Sequence, residues 1–462
     1  MGKRFYRYRG INVAEGKTIV DEIKNQEIFF ASIKENNDPV DGRHVLYFEG
    51  DKVAWICFIR NYCYAVLKAF DMLPLLEDSS KLSFNNITFP YISEEEKEIP
   101  LYKKYFLKIF NEILNENFTK NIIESLCEKK KISFDELNFL MVSIHNIFLY
   151  EIAKMLSEDE KVGEIFKPFF NGRDPKTLRN LKEIDYKKLI LTDSDEKKVL
   201  IKITKNILET NLPLDKHRLL TDENLKQKRY KDNILMVKID FPKLYFNNLY
   251  DLNFQEYYLS CFSENPYIEL LWSHYSDKHK GVCLIFETND EMAIGFENGR
   301  MPQIILKPVN YSDDAIEINF FEQIGRYNRR DLVKTWFEYN GEESELIKKY
   351  DKERFFNEHW GLYEKKTLQK SSNWSYEKEF RLVASSALYG KLEIKDRILK
   401  YKKEHLVGII FGEKTPLEIK SKIIEVLGDK LSKEEFNKFE FKQAKYSTIN
   451  NKLEIIPISI RK

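Results

Sequence analysis

Almost nothing in the overall charge points to a partner: 75 basic residues stand against 74 acidic ones, a formal net charge of +1. So neutral a chain has no bulk attraction to nucleic acid or to an anionic membrane, though a local basic patch stays open. Cysteine is scarce too. Cys57, Cys63, Cys127, Cys261 and Cys283 are odd in number and widely spaced, which argues against a disulfide framework and for a reducing compartment. Long hydrophobic runs are missing, since VAWICFI at 53–59 is far too short to span a bilayer. The opening MGKRFYRYRG lacks the apolar stretch of a signal peptide. No glycine-rich phosphate loop occurs. These absences predict a cytoplasmic protein with no membrane partner.

What the chain does have is enough apolar material for a core. Its 462 residues are 43% hydrophobic and 14% aromatic, which excludes global disorder and allows two or three domains, or one with a large insertion. Strand patterns occupy both ends: RFYRYR, IFFASI and HVLYFE first, then NILMVKIDF, EYYLSCFS, GVCLIFE, QIILKPVNY, EFRLVASS and LVGIIFG. Between them lie helices. SFDELNFLMVSIHNIFLYEIAKML opens on a capping box of Ser133 and Glu136 and carries Leu137, Met141, Ile144, Phe148, Ile152 and Met155 as an apolar stripe. The pattern predicts an α+β core from residues 1–55 and 233–462, a helical insertion over 56–232, a second helical stretch near 313–370 and C-terminal helical segments before a final strand. The stripes of the insertion need a surface to cover them, either within the insertion or through self-association or a foreign partner.

Two stretches stand out chemically. In NWSYEKEFRLV, residues 373–383, strand alternation puts Glu377, Glu379 and Arg381 on one face. Either this is the wet face of an edge strand, or two carboxylates are aimed at a ligand. In LSCFSENPYIELLWSHYSDKHKGVCLIFE, residues 259–287, a strand ends at Ser263 and Pro266 opens a helix with Ile268, Leu271, Trp272 and Tyr275 as its apolar stripe. Ser260, Ser263, Ser273, His274 and His279 are left over as polar groups. Cys261, His274, His279 and Cys283 lack the close cysteine pair that anchors a zinc site, so no metal is expected. Ser263 with His274 lacks a nucleophile elbow or an orienting acid. The triplet Glu364–Lys366 fits a nuclease but arises easily in a chain with 32% charged residues. The segment NNDPVDG at 36–42 predicts a tight turn on a cleft rim.

In order along the chain, FYRYR, IFFASIKENNDPVDG, the 259–287 stretch, NWSYEKEFRLV and LVGIIFG resemble a bacterial family known as domain of unknown function 2971. The resemblance covers the two ends, about half of the chain. More distantly, an arginine strand, a serine strand and a Glu-x-Glu strand in that order are similar to the Arg–Ser–Glu layout of ADP-ribosyltransferases. That second resemblance implies a split, mainly antiparallel sheet that clamps NAD as substrate. It implies that Arg7 or Arg9 holds the diphosphate or nicotinamide side and that Ser260 or Ser263 braces the site. Glu379 would bond the nicotinamide ribose, and Glu377 would orient or deprotonate the acceptor. Tyr267, Trp272 and Tyr275, with His274 nearby, would pack around the nicotinamide end. The acceptor, whether protein, nucleic acid, small molecule or water, stays open, and the resemblance implies a toxin or antiviral effector. The competing expectation is a non-catalytic binding or regulatory module.

Overall fold

The computed structural model describes residues 2–13, 16–38, 41–42, 44–72, 105–157, 175–210, 236–253, 257–297, 302–324, 329–349, 352–385 and 392–460. The chain divides into two units. One is Met1–Arg43 with Gln255–Ile316 and Gly361–Lys462; the other is His44–Phe254 with Glu317–Trp360. Both ends of the chain thus build one body, with the helical segment inserted. The insertion begins earlier than the residue pattern suggested because strand His44–Phe48 pairs with Ile132–Ser133 inside the second unit. Residues 317–360 also join it, and the Phe48 ring stacks on Phe320 at 4.8 Å between centroids.

The first unit is α+β. Among its described residues the main sheet runs, in spatial order, Lys307–Pro308, Glu379–Ser385, Tyr257–Ser263, Arg4–Arg9, Val282–Glu287, Leu406–Phe411, Glu440–Ser447 and Lys452–Pro457. All neighbours are antiparallel except Leu406–Phe411 with Glu440–Ser447. Alternation feeds two cores. Phe5, Leu284, Phe286, Phe380 and Leu382 pack on one face with Ile19, Ile23 and Leu427 from helices Ile19–Asn25 and Leu417–Lys430. Tyr8, Cys283, Ile285 and Ile410 pack on the other with Leu271 and Trp272 of helix Glu269–Tyr275. The strand Lys452–Pro457 adds an edge beyond the final strand anticipated.

One edge in this sheet is shared. Tyr257–Ser263 pairs along its whole length with Glu379–Ser385. Along its other edge it meets Arg4–Arg9 only at Tyr6–Ser263, and it meets Ala31–Ser32 only at Leu259 and Tyr258. Ser260, Cys261 and Phe262 face a gap. The sheet is split there.

The second unit is helical around Lys52–Met72, Phe134–Ser157 and Phe241–Asn253. The capping box forms as the sequence predicts, with Ser133 N–H donating to Glu136 and Glu136 N–H to Ser133 Oγ at 3.1 and 3.2 Å. The apolar stripe from Leu137 to Met155 is buried within the unit, so it finds its cover there. NILMVKIDF is not a strand over its described part: Met236–Asp240 is a π-helical turn running into Phe241–Asn253. A short apolar run has no periodicity to separate the two forms, and here helix packing decides. Lys52–Phe70 and Phe134–Ser157 are long and apolar enough to cross a membrane, yet 83% and 61% of their apolar windows are buried inside the protein, as core helices are.

Gly42 ties the turn-rich segment to the sheet. Its φ of +63° suits glycine, and a Cβ there would lie 2.4 Å from the Tyr257 hydroxyl. Gly42→Ala is therefore expected to cost about 1–3 kcal/mol through backbone strain and displacement of the buried tyrosine. Urea unfolding of the variant measures this; an unchanged midpoint would show that the turn yields freely.

Candidate functional site

At the split lies a cavity of about 250 Å³. It is lined by Arg7 and Arg9 from the first strand, Ser260, Cys261 and Ser263 from the second, Glu379 from the third, and Glu377, Lys370 and Tyr275 beside them. By alternation Arg7 and Arg9 leave the sheet on the face of Phe5, while Glu379 leaves on the face opposite Phe380. Both line one cavity because it occupies the gap between parted strands. Asn36 and Asn37 also line it, so the start of NNDPVDG does stand on the wall of a cleft. Pro39 and Val40 of that segment lie outside the described residues.

The carboxylates are not a wet edge. Glu377, Glu379 and Arg381 are 3%, 4% and 0% exposed, and their strand has a neighbour on each side. They do not share one strand face either, since Glu377 ends a 3₁₀ turn, Ser372–Glu377, and Lys378 adopts a left-handed conformation with φ 46° before the strand begins at Glu379. A lysine gives no signal of that backbone state, which favours glycine or asparagine. The kink nonetheless leaves both carboxylates on the same cavity. Ser263 holds the turn in place by donating its hydroxyl to the Glu377 carbonyl at 2.6 Å.

Lys370 joins the two acids, its ammonium 2.6 Å from Glu377 Oε2 and 2.9 Å from Glu379 Oε2. Tyr275 donates to Glu377 Oε1 at 2.9 Å. Arg381 Nε donates to Glu379 Oε1 at 2.7 Å, while its other nitrogens grip Asp41 at 2.7 and 3.0 Å. These surroundings drive the acids apart. Burial raises the Glu377 pKa, and the attraction of Lys370 does not fully offset it. Burial pushes Glu379 up as well, but Arg381 and then Lys370 outweigh it and hold this carboxyl well below the usual range. Divergent proton affinities on adjacent acids are what acid–base chemistry uses.

Across the cavity the arginines converge on Glu22, on helix Ile19–Asn25. Arg7 bonds Glu22 through one terminal nitrogen and reaches Ser260 Oγ from Nε at 3.2 Å. Arg9 Nε donates to both Glu22 oxygens at 3.0 and 3.1 Å. Burial lowers the Arg7 pKa to about 10 despite Glu22. Burial raises Glu22, yet Arg7 and Arg9 bring it below its ordinary value.

Not every residue singled out in the sequence joins the site. Trp272 is fully buried, edge-on to Tyr8, with its indole N–H on the Pro266 carbonyl at 2.9 Å; it is core. Tyr267 and His274 are exposed and outside the lining. Cys261 lines the cavity while Cys283 sits in the core. Among the described residues no group of three or more His, Cys, Asp or Glu side chains is arranged to hold a metal. Three contributors went unnamed in the sequence: Lys370, Asp41 and Glu22. Asp41 lies within the NNDPVDG turn, and Glu22 left a trace because it falls on the buried stripe of Ile19 and Ile23, where a charge demands a buried partner.

Glu22→Gln leaves Arg7 buried without its counter-charge and is expected to cost about 3–5 kcal/mol. Glu22 and Glu379, both with lowered pKa values, stabilise the fold above the ordinary glutamate value of about 4.3, and that contribution fades as pH falls through their depressed values. Glu377 acts oppositely: with its pKa raised, its contribution fades as pH rises through that raised value. Urea titrations between neutral and acid pH should show wild-type stability falling on the acid side and a shallower fall for Glu22→Gln. Equal slopes would mean that Glu22 is solvated.

The family model described as Protein of unknown function (DUF2971) matches residues 271–382. The match takes in Tyr275, Lys370 and both glutamates but stops short of the arginine and serine strands. No curated protein and no solved structure matches the chain.

Proposed function

We propose that this cleft binds the nicotinamide-ribose end of NAD and cleaves the bond between them, transferring ADP-ribose to an acceptor or to water. The observation that supports it is the meeting of Arg9, Ser263 and Glu379, from three adjacent strands, on one cavity at the split of an antiparallel sheet. A volume of about 250 Å³ lies below the roughly 300–1,000 Å³ of pockets that enclose a drug-sized ligand. It suits one ring and its ribose, with the rest of the dinucleotide outside.

Each residue then has a part. Arg9, whose side chain is 21% exposed, meets the diphosphate, while Arg7 at 5% holds Glu22 and Ser260. Glu379, kept ionised, faces the positive charge that develops on the ribose as nicotinamide departs with the bonding electron pair. Ser263 fixes the turn that carries Glu377. Glu377, with its raised pKa, takes the proton from the acceptor hydroxyl or water as the new bond to the anomeric carbon forms. With water the products are ADP-ribose, nicotinamide and one proton. A role as toxin or antiviral effector would follow if expression depletes NAD or labels a cellular protein or nucleic acid.

One observation favours a second reading, a module that binds without turnover. Glu379 is already countered by Arg381 and Lys370, and both arginines by Glu22.

The two readings part on a single experiment. Glu379→Gln should reduce NAD consumption about 10²–10³-fold, the size of one electrostatic contribution in other sites. Glu377→Gln should lose acceptor labelling while slow NAD hydrolysis persists. NAD that binds wild type but is never consumed, with both variants binding equally, would select the binding module. Absence of both binding and turnover would remove the NAD reading altogether.

A further inference from the structure

Lys370 has no place in the resemblance that suggested the site, yet its ammonium meets both Glu377 and Glu379. It sits on a two-residue strand, Gln369–Lys370, that runs parallel to Asn310–Tyr311. Tyr311 in turn accepts the Glu379 backbone N–H at 2.8 Å. The lysine is 6% exposed, and its ammonium lies 4.8 Å above the Trp374 ring. Two of its donors go to carboxylates that approach from different elements, Glu377 from the 3₁₀ turn and Glu379 from the strand.

We propose that Lys370 is a positioning residue of this cleft, the cation that holds Glu377 and Glu379 side by side and fixes which of them carries a proton. The inference rests on the reading of that cleft as catalytic, and it names what sets the acid–base state there.

The charges around the pair explain why one lysine has that authority. Glu379 has a second cation, Arg381, on its own strand, and the Cys261 thiol beside it from the neighbouring strand. Asp41 occupies the far side of Arg381. Apart from Lys370, Glu377 faces the Glu379 carboxylate and neutral hydroxyls: Tyr275 from helix Glu269–Tyr275, with Tyr376 adjacent and Tyr311 nearby. Without the lysine, Glu379 keeps a counter-charge and stays ionised. Glu377 would then be left buried beside an anion. It must take up a proton, because an opposite charge at such range is worth about 1–3 pKa units. Lys370 also stays charged in that arrangement. Burial alone would lower its pKa, but Glu379 and Glu377 raise it, so it remains an ammonium throughout the range in which the glutamates titrate.

The test is a carboxyl-carbon NMR titration of the full chain, with Glu377→Gln and Glu379→Gln spectra to assign the signals. Lys370→Met, with Lys370→Gln as a second neutral variant, should move the Glu377 titration up by about 1–3 units, whereas Lys370→Arg should leave it within about half a unit of wild type. A Glu377 titration unmoved in a folded neutral variant would overturn the proposal. If both neutral variants unfold, the wild-type ammonium nitrogen signal of Lys370 decides: it should shift in step with Glu377, and a signal indifferent to that titration overturns the proposal equally. The acid limb of kcat/KM for NAD should move with the NMR value. Failure of NAD turnover in wild type would sink the catalytic reading alone, since the titration needs no substrate.

Discussion

The structure of the first unit depends on one strand edge that has two partners. Tyr257–Ser263 gives its far edge wholly to Glu379–Ser385, and divides its near edge between Tyr6 at one end and Ala31–Ser32 at the other. Backbone N–H and C=O groups are obligatory hydrogen-bonding groups, and a buried one without a partner is costly. A sheet that leaves Ser260, Cys261 and Phe262 without ladder partners on that near edge must therefore keep the edge in contact with water, polar side chains or a ligand. The cavity follows from the split, and its polar lining from what a split demands.

Charge in this cavity balances between its two walls rather than within each, four cations against four carboxylates. One wall sets Arg7 and Arg9 against Glu22; the other sets Lys370 and Arg381 against Glu377, Glu379 and Asp41. Buried ion pairs of this kind are weak sources of stability, because desolvation consumes most of the Coulombic gain. What they supply is geometry, since each guanidinium or ammonium is committed to two or more acceptors and can satisfy them only in one arrangement. A ligand entering the gap would meet side chains whose directions are already set, which is the condition for electrostatic preorganisation.

The strands that carry this geometry were legible in sequence. RFYRYR, YYLSCFS, VCLIFE and LVGIIF alternate, or run apolar where both faces are buried, and each forms within a residue or so of its pattern. Arg7, Arg9, Ser260, Ser263, Glu377 and Glu379, singled out in the sequence, line one cavity because neighbouring strands bring them to the gap. The misjudged parts share a cause. Met236–Asp240 is a short apolar segment whose conformation is chosen by packing. Trp272 is an aromatic at helical spacing and went to the core. Lys370 meets carboxylates seven and nine residues ahead across a turn, and Asp41 an arginine 340 residues away; no local pattern announces either pairing. Glu22 was detectable as a charge on an apolar helix stripe, an inconsistency that marks a buried partner.

The left-handed residue between the two glutamates also separates their mechanical situations. Glu379 belongs to the sheet: it is in register with Ser263, and its N–H is taken by Tyr311. Glu377 belongs to a short 3₁₀ turn, and its place depends on three contacts, from Ser263 to its carbonyl and from Tyr275 and Lys370 to its carboxylate. On the proposed reading this division matches the two tasks. Stabilising a charge at a fixed ribose carbon needs a carboxylate that does not move, and a ladder position supplies one. Collecting a proton from an incoming acceptor tolerates a carboxylate on a turn, provided something restores it to the same spot. The lysine bridging both acids is that restoring link, because it ties the turn to the sheet at the point where their chemistry meets.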